Sequence, residues 1–200
     1  MHEFERIVFA SGNAGKAREV QAVLGDTVEI VLQTELGVDS VEETGSTFAA
    51  NALLKAQHAA RVTGLPALAD DSGLAVAALD GAPGVYSARY AGSDATDADN
   101  VAKLLAALEA VPAGHREASF HCVLAFVRSA DDPDPVFVEG EWQGQIAFER
   151  AGEQGFGYDP VFFDPELKRT AAELASAEKN ARSHRGKALA ALKLALAKGV

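Results

Sequence analysis

Short apolar runs alternate with segments whose apolar residues recur at helical spacing, and this alternation restricts the chain to a mixed α/β architecture. Ile7-Val8-Phe9-Ala10 reads as a buried strand and Ser11-Gly12-Asn13-Ala14-Gly15 as a turn. Residues 16–24 then place Val20, Val23 and Leu24 on one helical face, and residues 28–32 form a second strand candidate. A polar, acidic stretch over residues 34–46 precedes an alanine-rich helix over 47–63, stopped by Gly64 and Pro66. Ala67-Leu68-Ala69 reads as a short strand running into Asp70-Asp71-Ser72-Gly73, with a further strand over 74–79 and a tight turn at Asp80-Gly81-Ala82-Pro83-Gly84. An amphipathic helix covers 98–109, with Thr96 or Asp97 as its N-cap. Residues 118–128 and 136–142 are strand-like, joined by an acidic, proline-bearing hairpin loop, residues 130–135, expected to be exposed and without a chemical role. From Thr170 onward the pattern is helical. The expected fold is α/β, a central mixed sheet flanked by helices. With no internal repeat and no long linker, a single domain over residues 1–200 is expected.

Composition excludes several classes. Apolar residues make up 48% and charged residues 24%, so neither a disordered nor a collagen-like chain fits. The start, Met1-His2-Glu3-Phe4-Glu5-Arg6, lacks the pattern of a secretory signal peptide. One cysteine, Cys122, excludes an intrachain disulfide framework and a cysteine-built zinc site. The expected compartment is the cytoplasm. The net charge of −11 disfavours a duplex nucleic-acid coat. That charge is uneven: after Glu178, the last acid, come Lys179, Arg182, Arg185, Lys187, Lys193 and Lys198. Such a tail reads as a membrane or RNA arm, as local cations for an anionic ligand, or as charge favouring a helix C-terminus.

Four constellations carry possible chemistry. Ser11-Gly12-Asn13-Ala14-Gly15-Lys16 lies between a strand and a helix, where backbone N–H groups attract anions. It is not a Walker A loop, because Ala10 and Ala17 stand where glycine and a hydroxyl are needed. The same residues equally make an ordinary turn with a solvated lysine. Asp70-Asp71 are adjacent carboxylates that need exposure, a cation or a proton. At a strand end they suit magnesium, with Glu42-Glu43 as a second carboxylate source; alone they read as a solvated turn. Phe156-Gly157-Tyr158-Asp159 offers an aromatic face to a planar base, or aromatics covering a core edge. Lys179 and Ser183 are four apart, on one helical face, ahead of His184-Arg185-Gly186. Trp142 and Cys122 read as packing residues.

Taken in order, six blocks resemble the inosine triphosphate pyrophosphatase family, and within it the bacterial members that act on non-canonical purine nucleotides. They are Ala10-Ser11-Gly12-Asn13-Ala14-Gly15-Lys16, Glu42-Glu43-Thr44-Gly45, Ala69-Asp70-Asp71-Ser72-Gly73-Leu74, Gly81-Ala82-Pro83-Gly84-Val85-Tyr86-Ser87-Ala88-Arg89-Tyr90, Gly155-Phe156-Gly157-Tyr158-Asp159-Pro160 and Ser183-His184-Arg185-Gly186. Ser11 departs from the threonine common in the family but keeps the hydroxyl. The resemblance implies an elongated, two-lobed, homodimeric α/β protomer with the nucleotide in a cleft between lobes. It implies magnesium-dependent hydrolysis of dITP, ITP, XTP and dXTP to the monophosphate and pyrophosphate. It also implies roles: Asp71, Lys16 and Asp70 in catalysis, and Asp71 and Glu43 on the metal. Ser11, Gly12, Asn13, Ala14, Gly15, Lys16 and Ser72 would hold phosphates; Phe156 would stack on the base. Gly157, Tyr158, Asp159, Lys179, His184 and Arg185 would complete the nucleotide pocket. No polymeric nucleic acid and no membrane are expected as partners.

Two other readings stand beside this one. A Maf-type nucleotide pyrophosphatase would take pyrimidine or modified bases. A non-catalytic nucleotide- or RNA-binding module would use the basic tail, against which Asp70-Asp71 beside a phosphate loop counts, since bare carboxylates repel phosphate.

Overall fold

A computed structural model describes residues 4–25 and 28–197. Met1-His2-Glu3 and the tail's Lys198 lie outside the described residues. The elements in chain order are β1 (Arg6–Phe9), α1 (Ala14–Leu24), β2 (Glu29–Leu32), α2 (Phe48–Thr63), β3 (Ala67–Val76), α3 (Asp97–Ala107), β4 (Glu117–Val127), β5 (Val136–Ile146), β6 (Phe162–Asp164), β7 (Arg169–Thr170), α4 (Ser176–Arg182) and α5 (His184–Ala197). The strands form one mixed sheet in the order β2-β1-β3-β4-β5-β6-β7. β1 pairs in parallel with β2 and β3, whereas β5–β6 and β6–β7 are antiparallel. This is the α/β mixed sheet expected from the alternation of strand and helix patterns.

The chain divides into two compact units. The first comprises Met1–Asp71, Cys122–Gly140 and Lys187–Val200; the second comprises Ser72–His121 and Glu141–Gly186. In the first unit β1 is buried on both faces, as parallel strands covered by helices are. Ile7 and Phe9 join Val20 and Leu24 of α1 and Leu189 and Leu192 of α5. Val8 and Ala10 join Ala52, Ala56, Ala59 and Ala60 of α2. These alanines let α2 lie close against the strand layer. Thr47 caps the helix, its Oγ1 accepting the Ala50 N–H at 3.1 Å, and Gly64 ends it in the left-handed region at φ 71°. In the second unit Leu74, Val76, Leu104, Leu108, Phe120, Trp142 and Phe162 form the core. Arg116 is buried there, and its guanidinium donates to the carbonyls of Leu108, Val111, Ile146 and Ala147.

Three details depart from the sequence expectation. Asp70-Asp71-Ser72-Gly73 is not a turn at a strand end: β3 runs unbroken from Ala67 to Val76, both aspartates are buried, and residues 77–79 form a 3₁₀ turn rather than a strand. Two charges are tolerated inside the strand because each carboxylate meets a lysine brought from elsewhere in the fold. The 130–135 loop is not uniformly exposed: Asp132 is buried, accepts the Arg128 and Asp134 N–H groups, and pairs with the Arg128 guanidinium. Ser183 does not continue a helical face with Lys179; it stands just past the end of α4 and donates its N–H to the Lys179 carbonyl at 2.7 Å.

Candidate active site

The turn after β1 is folded upon itself. Asn13 Oδ1 accepts the N–H groups of Gly15 (2.9 Å) and Lys16 (3.1 Å), capping α1. Ser11 Oγ accepts the Asn13 N–H at 3.1 Å. Ala14 is the first residue of α1, and Lys16 leaves the helix in its first turn. The Lys16 ammonium donates to Asp70 Oδ2 at 2.7 Å, and the Asp70 side chain is only 2% exposed.

Asp71, the next residue of β3, meets a different cation. Lys55 Nζ donates to Asp71 Oδ1 at 3.1 Å and to Glu43 Oε1 at 2.6 Å. Asn51 Nδ2 donates to Asp71 Oδ2 at 3.2 Å. Asn51 and Lys55 are four apart in α2 and so share a face. The other end of the Asn51 amide accepts the Gly45 N–H at 2.7 Å. A Cβ at position 45 would stand 2.6 Å from Asn51 Oδ1 and 2.8 Å from Ala50 Cβ. The glycine therefore lets the acidic loop press against α2, which brings Glu43 onto Lys55.

Burial pushes the Asp71 carboxyl above its ordinary range; the Lys55 ammonium opposes this and the Glu43 charge adds to it. Lys55 is also raised: burial works against its charge, but Asp71, Glu43 and Asp70 outweigh it. Both directions express one condition, a half-buried site rich in negative charge.

A pocket of about 230 Å³ is lined by Ala10, Ser11, Gly12, Lys16, Gln33, Ser40, Val41, Glu43, Lys55 and Asp70. It gathers Ser11, Gly12, Lys16, Glu43 and Asp70, all expected from the sequence, and adds Gln33, Ser40 and Lys55, which were not. Lys55 and Asn51 had a signal: two polar residues at i and i+4 beside the alanine stripe of an otherwise apolar helix face. Ser72 follows Asp71 along β3, half-buried, as the first residue of the second unit.

Within the second unit Phe156 is 55% exposed, and two cations lie over its ring, Lys179 Nζ at 5.1 Å and the Arg185 guanidinium carbon at 5.8 Å from the centroid. Asp159 is buried, accepts the Phe156 N–H at 2.8 Å and pairs closely with Lys179. Gly157 lies between Phe156 and Tyr158 at φ 60°. Tyr158 does not stand with the exposed aromatic: it is buried and donates its hydroxyl to the Ser87 carbonyl at 2.9 Å, and burial pushes its pKa well above the usual 10.0. His184 is nearly buried and stacks on Phe120, with centroids 4.8 Å apart and planes 15° apart. Gly186, in the first turn of α5, lies so close to α4 that a Cβ would stand 1.7 Å from the Asn180 carbonyl oxygen. Lys179 and Arg182 of the basic tail are engaged locally, by Asp159 and by Asp164 and Glu166.

The donor set around Lys55 is hard oxygen with excess negative charge, which suits a small divalent cation. Among the described residues no group of three or more His, Cys, Asp or Glu side chains could hold a metal ion. Two carboxylates are instead the number expected where water and substrate phosphates supply the remaining ligands. No helix among the described residues is long and apolar enough to cross a membrane.

An open mixed sheet with a buried carboxylate–lysine cluster on its parallel strands places the chain among open-sheet α/β proteins. The chain belongs to the Ham1 family, whose model matches residues 7–195. A relative from Pectobacterium atrosepticum, named dITP/XTP pyrophosphatase, is 60% identical over 186 residues, 92% of this chain and 94% of its own. A relative of the same name from Shigella flexneri is 60% identical over 196 residues, 98% of this chain and all of its own. The solved structure of a HAM1 protein from Coxiella burnetii is 54% identical with a TM-score of 0.93, covering 97% of this chain and 99% of that one.

Proposed function

We propose that this chain is a magnesium-dependent pyrophosphatase for non-canonical purine nucleoside triphosphates, converting dITP, ITP, XTP or dXTP and water to the monophosphate and pyrophosphate. The substrate class rests on relatives about 60% identical over almost the whole chain, whose names state dITP and XTP. The observation behind the chemistry is the convergence of Glu43 and Asp71 on one cation, the Lys55 ammonium, at 2.6 and 3.1 Å. The same oxygens are the groups that would hold magnesium, and when bound that ion neutralises phosphate charge and acidifies the attacking water.

The chain's own groups then have distinct tasks. Asp71 takes a proton from the water as its oxygen bonds to the α-phosphorus; the bond from that phosphorus to the bridging oxygen breaks, and pyrophosphate leaves. Lys55 keeps Asp71 ionised and oriented despite burial. Lys16, steered by Asp70, presents positive charge to the phosphates beside Ser11 and Gly12, with Asn13, Ala14, Gly15 and Ser72 completing the phosphate-binding set. Such positioning and charge neutralisation account for most of phosphoryl-transfer catalysis. At the base end Phe156 offers its ring beneath Lys179 and Arg185, with Gly157 and Asp159 shaping the loop and His184, stacked on Phe120, completing the pocket. A 6-oxo purine presents an acceptor to these donors, whereas a 6-amino purine presents a donor. We take the chain to work as one pyrophosphatase domain, as a homodimer, in the cytoplasm.

The test is pyrophosphate release from a panel of nucleoside triphosphates with and without magnesium. The expected result is metal-dependent release from dITP and XTP and far less from dATP. Orthophosphate as the product, or equal rates for dITP and dATP, would overturn the assignment.

A further inference from the structure

We infer that Asp97 is a positioning residue for the aromatic loop, pinning from α3 the backbone that presents Phe156. The inference deepens the proposed function and rests on it for the meaning of Phe156. Asp97 Oδ2 accepts the Gly157 N–H at 2.7 Å, across 60 residues of sequence. Phe156 stands between two glycines in the left-handed region, Gly155 at φ 80° and Gly157 at φ 60°. At position 155 a Cβ would stand 2.0 Å from Asp159 Oδ2, so the loop accepts no side chain there. A backbone this permissive needs outside restraint to hold one ring orientation. Its two successive N–H groups are both taken by carboxylates: Phe156 by Asp159, within the loop, and Gly157 by Asp97, outside it.

The helix does not need this carboxylate for its own capping. Thr96 Oγ1 accepts the Asp99 N–H and Asp99 Oδ2 accepts the Thr96 N–H, a complete capping box. Asp97 is exposed, so its replacement leaves the core intact. The Asp97 side chain thus fixes where the stacking surface lies while making no contact with phosphate chemistry.

The experiment compares Asp97→Ala, Asp97→Asn and Asp97→Glu in the full chain. Asparagine keeps an acceptor oxygen of the same reach; glutamate keeps the charge at the helix start but moves the acceptor by one methylene. Amide hydrogen exchange reads the loop directly. In Asp97→Ala, exchange over residues 155–159 is expected to accelerate roughly tenfold while α3 is unchanged, the scale of one lost charge-assisted hydrogen bond. The KM for dITP should rise roughly five- to tenfold with kcat within about twofold, and Asn should retain most of the parent behaviour. Inhibition by pyrophosphate, which has no base, should be unchanged. Equal acceleration across α3, an intact Glu variant with an impaired Asn variant, or a loosened loop with unchanged KM would each overturn the inference. Should the parent fail to hydrolyse dITP, the proposed function falls, while an unaltered loop exchange rate in Asp97→Ala would sink the pin independently.

Discussion

The Lys55 ammonium lies 3.1 Å from Asp71 Oδ1, joining the middle of α2 to the middle of β3, and the same nitrogen holds Glu43 at 2.6 Å. Lys55→Met removes the counter-charge of both carboxylates, an expected loss of about 3 kcal/mol in stability. Magnesium should then raise the melting temperature of the variant more than that of the parent, because a divalent ion replaces the missing charge. Melts with and without magnesium check this; equal shifts would count against Glu43 and Asp71 as a cation site.

Asp71→Asn preserves the shape of the side chain and leaves Lys55 bonded to Glu43, but it removes the proposed proton acceptor. Turnover of dITP should fall roughly 10³-fold. Calorimetry should show dITP binding within about threefold of the parent, since one neutral amide replaces one of several groups proposed to face the nucleotide. A variant that turns over at near the parent rate places the proton acceptor elsewhere.

Arg185 is nearly buried beside Phe156, and Glu178, the last acid in the chain, is engaged by Arg169 at 2.5 Å. A guanidinium only donates. Arg185→Ala should therefore lower kcat/KM for dITP and shrink its advantage over dATP by roughly tenfold, the scale of one donor lost from a buried polar contact. An unchanged dITP-to-dATP ratio assigns Arg185 to packing.

Asp164 contributes to acid stability in the second unit. Burial pushes its carboxyl up, but the Leu167 N–H, the Trp142 indole N–H, Arg182 and the Glu166 N–H outweigh this and hold it below the ordinary 3.8. The folded chain thus binds this proton less tightly than the unfolded chain. The contribution is complete above the ordinary carboxylate value and is lost as pH falls through the depressed one. Asp164→Asn should cost about 1–3 kcal/mol at neutral pH. Urea unfolding between about pH 5 and about pH 3 should then show a shallower acid loss in the variant than in the parent. Parallel curves would move the acid sensitivity to other carboxylates.

What the sequence made legible was local. Thr47 and Gly64 bound α2 because capping and left-handed termination need only near neighbours, and Phe156 between glycines is exposed, the first of the two readings its loop allowed. The continuity of β3 was not legible, because two adjacent aspartates read as a turn until Lys16 and Lys55 are seen to neutralise them across 54 and 16 residues. Lys55 was missed for the same reason: its partners come from a loop and a strand that no helical pattern reveals. Tyr158 shares a motif with Phe156, yet strand and loop geometry turn it inward to Ser87. Asp132 looked like one more acid in a polar loop until its N–H donors were in place.

The alanine stripe on α2 has an evolutionary consequence. Ala52, Ala56, Ala59 and Ala60 are essentially inaccessible, and the helix they seat carries Asn51 and Lys55. Any larger side chain there would lift the helix and drag both groups off Asp71, since overpacking forces the backbone to move. Heritable change at these four positions is therefore screened by hydrolysis itself, whichever base is attached. Phe156 sits on an exposed loop of the other unit and faces no such screen. On the proposed reading of Phe156 as the base platform, variation that retunes base preference has room to accumulate there while the proposed hydrolytic groups stay where they are.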